Sequence, residues 1–391
     1  MPSFLPRTVI ILGLVSLLND AGSEMINPLL PLFLTITLGA GPSIVGLIEG
    51  IAEATASILK LVSGWLADRG WSARRLVIGG YSFSNLARPL INLANSWGVV
   101  IALRFCDRIG KGLRTAPRDV IISNSVDASI RGRAFGFHRA FDHLGAMIGP
   151  LVAFALLQSG MPLRDVFLVS IVPGIGVVVL LVYGLPKQEI AVAPKPRAPL
   201  HWNRLDKRVK ALVLASGGLA LATTPEAFLV LWASAGGLEI VWVPLLWAAA
   251  HAIRALVAAP AGYLSDSLGR MPIVLTGWIA RVGLLMVFAV SPAGTVAIWG
   301  LFIAYAAATA FSEGAERALI GDFVPEEQRG TAFGIYHLLS GLLALPGAVA
   351  FGVIWEAFGM QYAFITAAVI TVVAAVSLLL LTRGQTAQPI H

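Results

Sequence analysis

The chain has 391 residues, 57% of them hydrophobic and only 13% charged, with a formal net charge of +7. Soluble proteins carry charge on about a quarter of their residues, so the composition excludes a water-soluble multidomain protein. The basic excess is the bias of cytoplasmic loops rather than a nucleic-acid footprint, and the single Cys106 excludes an intrachain disulfide or a cysteine-cluster metal site.

Apolar segments of about 20 residues, each long enough to cross a bilayer core of roughly 30 Å, follow one another almost to the end. They predict twelve helices, at approximately 8–38, 43–67, 75–95, 97–124, 132–158, 164–185, 209–235, 240–265, 272–291, 295–320, 331–357 and 361–382. The start, MPSFLPRTVIILGLVSLLND, lacks a small-residue cleavage site and is expected to remain as the first helix.

In chain order, span 1 carries Asp20 and Glu24 at i, i+4, and span 2 carries Glu49 and Glu53 at the same spacing. Span 4 contains RFCDRIGKGLRTAPRD, residues 104–119. On a helix at 100° per residue, Arg104, Asp107, Arg108, Lys111, Arg114 and Arg118 fall within an arc of about 120°, opposite Cys106, Ile109 and Leu113. Lipid exposure of such a stripe would cost about 3 kcal/mol or more per charge, so it is expected to face a polar cavity. Gly110 and Gly112 allow close helix approach there. They do not form a phosphate loop, which needs an earlier Gly and a hydroxyl residue after the Lys. Span 5 adds Arg139, Asp142 and His143. By rise per residue, Asp20, Glu53, Arg108 and Asp142 come to similar depth near mid-membrane.

The Pro-rich, basic stretch PKQEIAVAPKPRAPLHWNRLDKRVK divides the chain into a bundle at 1–185, a cytoplasmic linker at 186–208 and a bundle at 209–391. The second half holds fewer charges: Glu226, His251, Arg254, Arg281, Glu313, Glu316, Arg317 and His337. One offset of 198 residues aligns GWLADRGWSARRLVIGG with GYLSDSLGRMPIVLTGW and RGRAFGFHRAFDHLGAMIGP with RGTAFGIYHLLSGLLALPGA, pairing Gly64 with Gly262, Asp68 with Asp266 and Glu53 with His251. Two parallel six-helix repeats are a transporter layout.

These residues resemble the major facilitator superfamily. Gly64, Leu66, Asp68 and Arg69, repeated as Gly262, Leu264, Asp266, Gly269 and Arg270, resemble its loop motif; Gly145, Gly149 and Pro150 resemble its antiporter motif. The first copy departs from the loop motif at Trp71 and Ser72, with basic residues displaced to Arg74 and Arg75. The resemblance implies an all-α membrane protein of twelve transmembrane helices in two pseudo-symmetric six-helix bundles. It also implies that the loop latches the two halves, and that spans 1, 4, 7 and 10 line a central cavity. The second motif also fits plain tight helix packing.

The expected function is alternating-access transport. The leading form is proton-coupled antiport, exporting a small anionic or amphipathic organic solute such as a drug or siderophore. The alternative is symport or uniport for uptake of a nutrient or organic acid. Asp20, Glu24, Glu53 and Asp142 are the candidate proton carriers. Arg104, Asp107, Arg108, Lys111, His143 and Glu313 are the candidate substrate contacts. Asp68, Arg69, Arg114, Arg118, Asp119, Asp266, Arg270, Glu316 and Arg317 are the candidate gate residues, with snorkelling as the other reading for those at helix ends. No cofactor, metal or nucleic acid is expected; the proton gradient supplies energy. No Ser–His or His–Glu pairing at catalytic spacing suggests an enzyme. The expected setting is a bacterial inner membrane, with the chain a monomer and both termini cytoplasmic.

Overall fold

A computed structural model of the chain describes residues 5–127, 130–186, 207–222, 224–290, 294–323 and 329–382. The first six helical segments are α1 (Arg7–Thr37), α2 (Pro42–Asp68), α3 (Ala73–Ala87, then a 3-10 turn Pro89–Leu93), α4 (Trp97–Asn124), α5 (Arg131–Gln158) and α6 (Leu163–Gly184). The second six are α7 (Lys207–Ala222, then Glu226–Ala235), α8 (Val243–Leu268), α9 (Arg270–Val290), α10 (Thr295–Phe323), α11 (Arg329–Phe358) and α12 (Met360–Thr382). Each segment of the second set begins close to 198 residues after its counterpart, so the repeat seen in two motifs extends through the fold. Most of the expected linker lies outside the described residues.

Nine of the twelve are apolar and long enough to cross a bilayer unaided. The other three, α2, α3 and α4, carry Glu49 and Glu53, Arg88, and the charged stripe. Their charges are tolerable because neighbouring helices, not lipid, surround them. Within the first half α1 packs on α5, α3 on α4, and α2 on α4; the second half repeats this as α7 on α11, α9 on α10, and α8 on α10. The halves meet through α2 with α11 and through α5 with α8.

Glycines set that meeting. A Cβ on Gly46 would lie 2.2 Å from the Ala348 carbonyl oxygen, and one on Gly352 would lie 2.4 Å from that of Pro42. Only bare backbone permits such an approach.

The hydrophobic cores show how the halves are disposed. At one end a single cluster draws on both halves. Ile26, Leu29, Leu30, Phe33, Val45 and Phe167 join Phe228, Trp232, Leu246, Phe288, Phe351 and Phe364. Phe154 and Trp242 meet across the same end, their tilted rings 5.4 Å apart. At the other end, where Arg69, Arg74, Arg133 and Arg270 lie at helix ends, the core is split. Val9, Leu12, Val77, Tyr81, Ile122 and Leu181 form one cluster in the first half. Val213, Val274, Trp278, Leu319 and Leu378 form another in the second. The two bundles are therefore sealed together at one end and part towards the basic end.

Candidate functional site

A cavity of about 330 Å³ lies between the halves on the basic side of the seal. The first half contributes Glu24 and Asn27 from α1, Glu49, Ala52 and Glu53 from α2, and Arg104 and Arg108 from α4. The second half contributes Pro225, Glu226 and Ala227 from α7, Trp247 and His251 from α8, and Ala344 and Ala348 from α11. Its volume is that of a small-molecule site.

Glu24 is the meeting point of the two halves. Asn27 donates to its Oε1 at 2.8 Å, and Trp247 Nε1 donates to its Oε2 at 2.9 Å. His251 Nε2 stands 3.7 Å from Oε2 without a hydrogen bond. One carboxylate of α1 thus holds α8 through an indole and, when protonated, an imidazolium. His251 and Glu53, repeat-equivalent in the sequence, face the same space.

The stripe on α4 is divided among partners. Arg104 donates to Glu49 at 3.3 Å and to Asn27 at 3.1 Å. Arg108 reaches only to 3.7 Å from Asp107, and no acceptor among the described residues lies within hydrogen-bonding distance of its Nε. Asp107 is 2% exposed and does not line the cavity. It accepts from Arg88 Nε at 2.8 Å and from Ser84, and lies 3.8 Å from Arg104 and 3.7 Å from Arg108, so it is a shared counter-charge of these arginines. Arg88 is closed in further by the Asn19 side chain at 3.0 Å and backbone carbonyl at 3.1 Å. Arg114 is likewise buried, its guanidinium 4.3 Å above the Tyr81 ring. The stripe faces the interior as expected, but Asp107 and Arg114 are spent on α3 rather than on a cavity. Gly110 and Gly80 permit this: a Cβ on Gly110 would lie 2.4 Å from the Gly80 carbonyl oxygen.

The other sequence candidates lie apart from the cavity. Asp20 accepts from Asn19 at 2.9 Å. Asp142 accepts from Ser16 and, at 3.3 Å, from Arg139, an internal pairing of α1 with α5. Lys111 is half-buried, and its carbonyl accepts from Thr115. His143 is exposed, and exposed Glu313 pairs with Arg317 on its own helix.

Among the expected gate residues, each ion pair stays within one half. Arg118 pairs with its neighbour Asp119 at 2.8 Å. Arg270 pairs with Asp322 at 2.7 Å and with Asp266 at 3.9 Å, fastening α9 to α10. Glu316 is buried and accepts from Trp278 at 2.7 Å. Arg69 stacks on Trp65 at 3.9 Å; the Asp68 side chain lies outside the described residues.

Arg88, Asn19, Asn27 and Trp247 were not foreseen. Arg88 precedes Pro89 at the point where α3 breaks, so it reads as a span end. The two asparagines and the tryptophan carry no charge signal in an apolar run.

Two six-helix bundles around one central polar cavity, sealed at one end, define a membrane transporter. The model of the Major Facilitator Superfamily matches residues 12–314 and 245–390. The chain belongs to that superfamily. An uncharacterized MFS-type transporter of Methanocaldococcus jannaschii is 29% identical over 96% of this chain and 95% of its own. A probable 4-methylmuconolactone transporter of Cupriavidus pinatubonensis is 26% identical over 94% of this chain and 88% of its own. Among solved structures, a bacterial homolog of the human lysosomal transporter Spinster superposes with a TM-score of 0.80, at 18% identity, over 96% of both chains. That likeness concerns the fold.

Proposed function

We propose that the chain is a proton-coupled transporter of a small organic anion, working by alternating access as a monomer in the bacterial inner membrane. Both termini and the basic loops are cytoplasmic, so the cavity opens inward. The observation that carries the anion assignment is Arg108, a cationic donor at the cavity wall whose Nε no acceptor satisfies. Arg104 beside it is already held by Glu49 and Asn27.

Electrostatics then sets the sign of coupling. Arg104 is the counter-charge of Glu49, and Arg108 lines the same cavity as Glu53. An anion that takes an arginine from its carboxylate leaves that carboxylate better satisfied by a proton. Proton and anion therefore favour each other's binding, which is co-transport. Protonating Glu24 as well removes its charge from Trp247 and His251 and loosens the tie between α1 and α8, so proton binding also biases the rocking of the halves. The full-length likeness to a probable 4-methylmuconolactone transporter agrees with a small organic solute.

A second reading rests on the lining itself, where four carboxylates face two arginines. A cationic or amphipathic solute would displace protons from Glu24 and Glu53, and that competition is antiport. A multidrug resistance protein of Aeromonas hydrophila, 27% identical over 53% of this chain, agrees with this form.

Reconstituted vesicles separate the two. The probes are 4-methylmuconolactone, small carboxylates and the cation tetraphenylphosphonium, tested under imposed pH gradients of either sign. Accumulation of an anion with the proton gradient, lost in Arg108→Gln, supports co-transport. Export of the cation against the proton flow, with anions inert, assigns antiport instead.

A further inference from the structure

The second half contains a pocket that the central site does not use. It has a volume of about 250 Å³ and shares Pro225 and Glu226 with the central cavity. Those residues lie where α7 breaks between Ala222 and Glu226. Pro225 has no N–H and cannot continue the hydrogen-bond ladder. A broken helix at a cavity wall is a common ligand-binding device in transporters. Glu226 pairs there with Arg254, and this pair stands at the wall between the two spaces.

Behind it sits Arg281 of α9, 4% exposed. Its partner is the Tyr305 hydroxyl at 3.3 Å, with the Tyr305 ring 5.6 Å from the guanidinium carbon. Its Nε has no hydrogen-bond partner. No carboxylate among the described residues comes within ion-pair distance. Glu316, the one carboxylate deep in the pocket, is occupied by the Trp278 indole. Arg254 Nε, Ser216 Oγ and Thr224 Oγ1 are also buried there without partners. A buried guanidinium with an unmet Nε, beside further unmet donors, is costly unless an acceptor completes it.

The repeat sets the two halves apart here. In the first half the α3 arginine, Arg88, is neutralised by Asp107 of α4. The position 198 residues after Asp107 is Tyr305 on α10. The position 198 residues after Arg88 is Met286, so Arg281 lies five residues earlier on the corresponding helix and meets a neutral phenol on α10 instead of a carboxylate.

We propose that this pocket is a second anion subsite, which receives the distal acid group of an extended organic di-acid whose proximal group lies at Arg104 and Arg108. This rests on the anion reading of the central cavity and narrows it to dicarboxylates. The Glu226–Arg254 pair then parts as the ligand crosses the wall, Arg254 turning to the bound acid.

The test is calorimetric titration of the purified full chain with straight-chain α,ω-dicarboxylates of increasing length, beside monocarboxylates of equal length. One di-acid is expected to bind at least tenfold tighter than its mono-acid. Arg281→Gln should erase that advantage and leave mono-acid affinity within twofold, which also shows that the variant is folded. Arg108→Gln should weaken both ligands. Should Arg281→Gln fold poorly, Tyr305→Phe and Thr224→Val report on the same subsite by a partial loss of the advantage. An advantage that persists in Arg281→Gln, or that appears at no chain length while mono-acids still bind through Arg108, overturns the subsite and leaves the transport reading standing. If no carboxylate binds the wild type, the anion reading itself falls and the subsite with it.

Discussion

Replacing Gly46 by alanine and then by leucine should drive the protein out of the conformation described here. The Cβ would stand 2.2 Å from the Ala348 carbonyl oxygen and 3.4 Å from the Phe228 ring. Carbon–oxygen contacts between packed helices settle at about 3.3–3.6 Å, so α2 and α11 must separate by roughly 1 Å at the sealed end. Forced insertion into packed helices costs about 1–3 kcal/mol, and each 1.4 kcal/mol is about a tenfold change in an equilibrium. The ratio of the two end states should shift about 5- to 150-fold, with leucine at the upper end. Spin labels at Trp71→Cys and Leu268→Cys, on a Cys106→Ser background, report the gap at the basic end by pulsed electron resonance. The distance distribution should gain a shorter component in Gly46→Ala and be dominated by it in Gly46→Leu. Gly79→Ala is the control, because nothing lies within 4 Å of its Cβ. An unchanged distribution in Gly46→Leu would refute the argument that this contact belongs to one state.

Three more outcomes follow from the geometry. Asp107→Asn strips Arg88 of its buried counter-charge and should cost about 3–5 kcal/mol. That would lower the thermal midpoint by several degrees in fluorescence-detected gel filtration, with partial recovery in the Asp107→Asn/Arg88→Gln double variant. Glu356→Gln weakens an exposed tie across the sealed end, where the Glu356 carboxylate accepts the Ser43 amide at 3.0 Å. It should shift the spin-label distances in the same direction as Gly46→Leu but by less, since the tie is solvent-exposed and screened. Glu24→Gln should leave substrate exchange across vesicles intact while flattening its dependence on pH; a pH profile equal to wild type removes Glu24 from the coupling.

Much of the architecture was legible because the bilayer imposes it. Segment length and apolar runs located all twelve helices within a few residues, and the 198-residue offset that links Glu53 to His251 in sequence places both at one cavity. The α4 stripe was legible as a buried face, but its division was not. Periodicity says that Asp107 and Arg108 point inward. It does not say that Arg88, on another helix and beside a helix-breaking proline, will claim Asp107 first. The hold on Glu24 was hidden for a similar reason. Trp247 reads as one more apolar residue until its indole N–H meets a carboxylate from the other half. Asp142 and Asp20 match Glu53 and Arg108 in depth, but depth along a helix does not fix the angle around it. Ser16 bonds Asp142 and Asn19 bonds Asp20, and neither carboxylate lines the cavity.

The central claim is that protons and an anion bind together at the Glu24–Arg108 site. The direct measurement is proton uptake on ligand binding, by calorimetry of the purified chain with the tightest-binding carboxylate in buffers of different ionisation heat. The wild type should take up protons as the anion binds, and Glu24→Gln/Glu53→Gln should bind it with little or no uptake. Proton release on binding, or uptake undiminished in the double variant, would contradict the account.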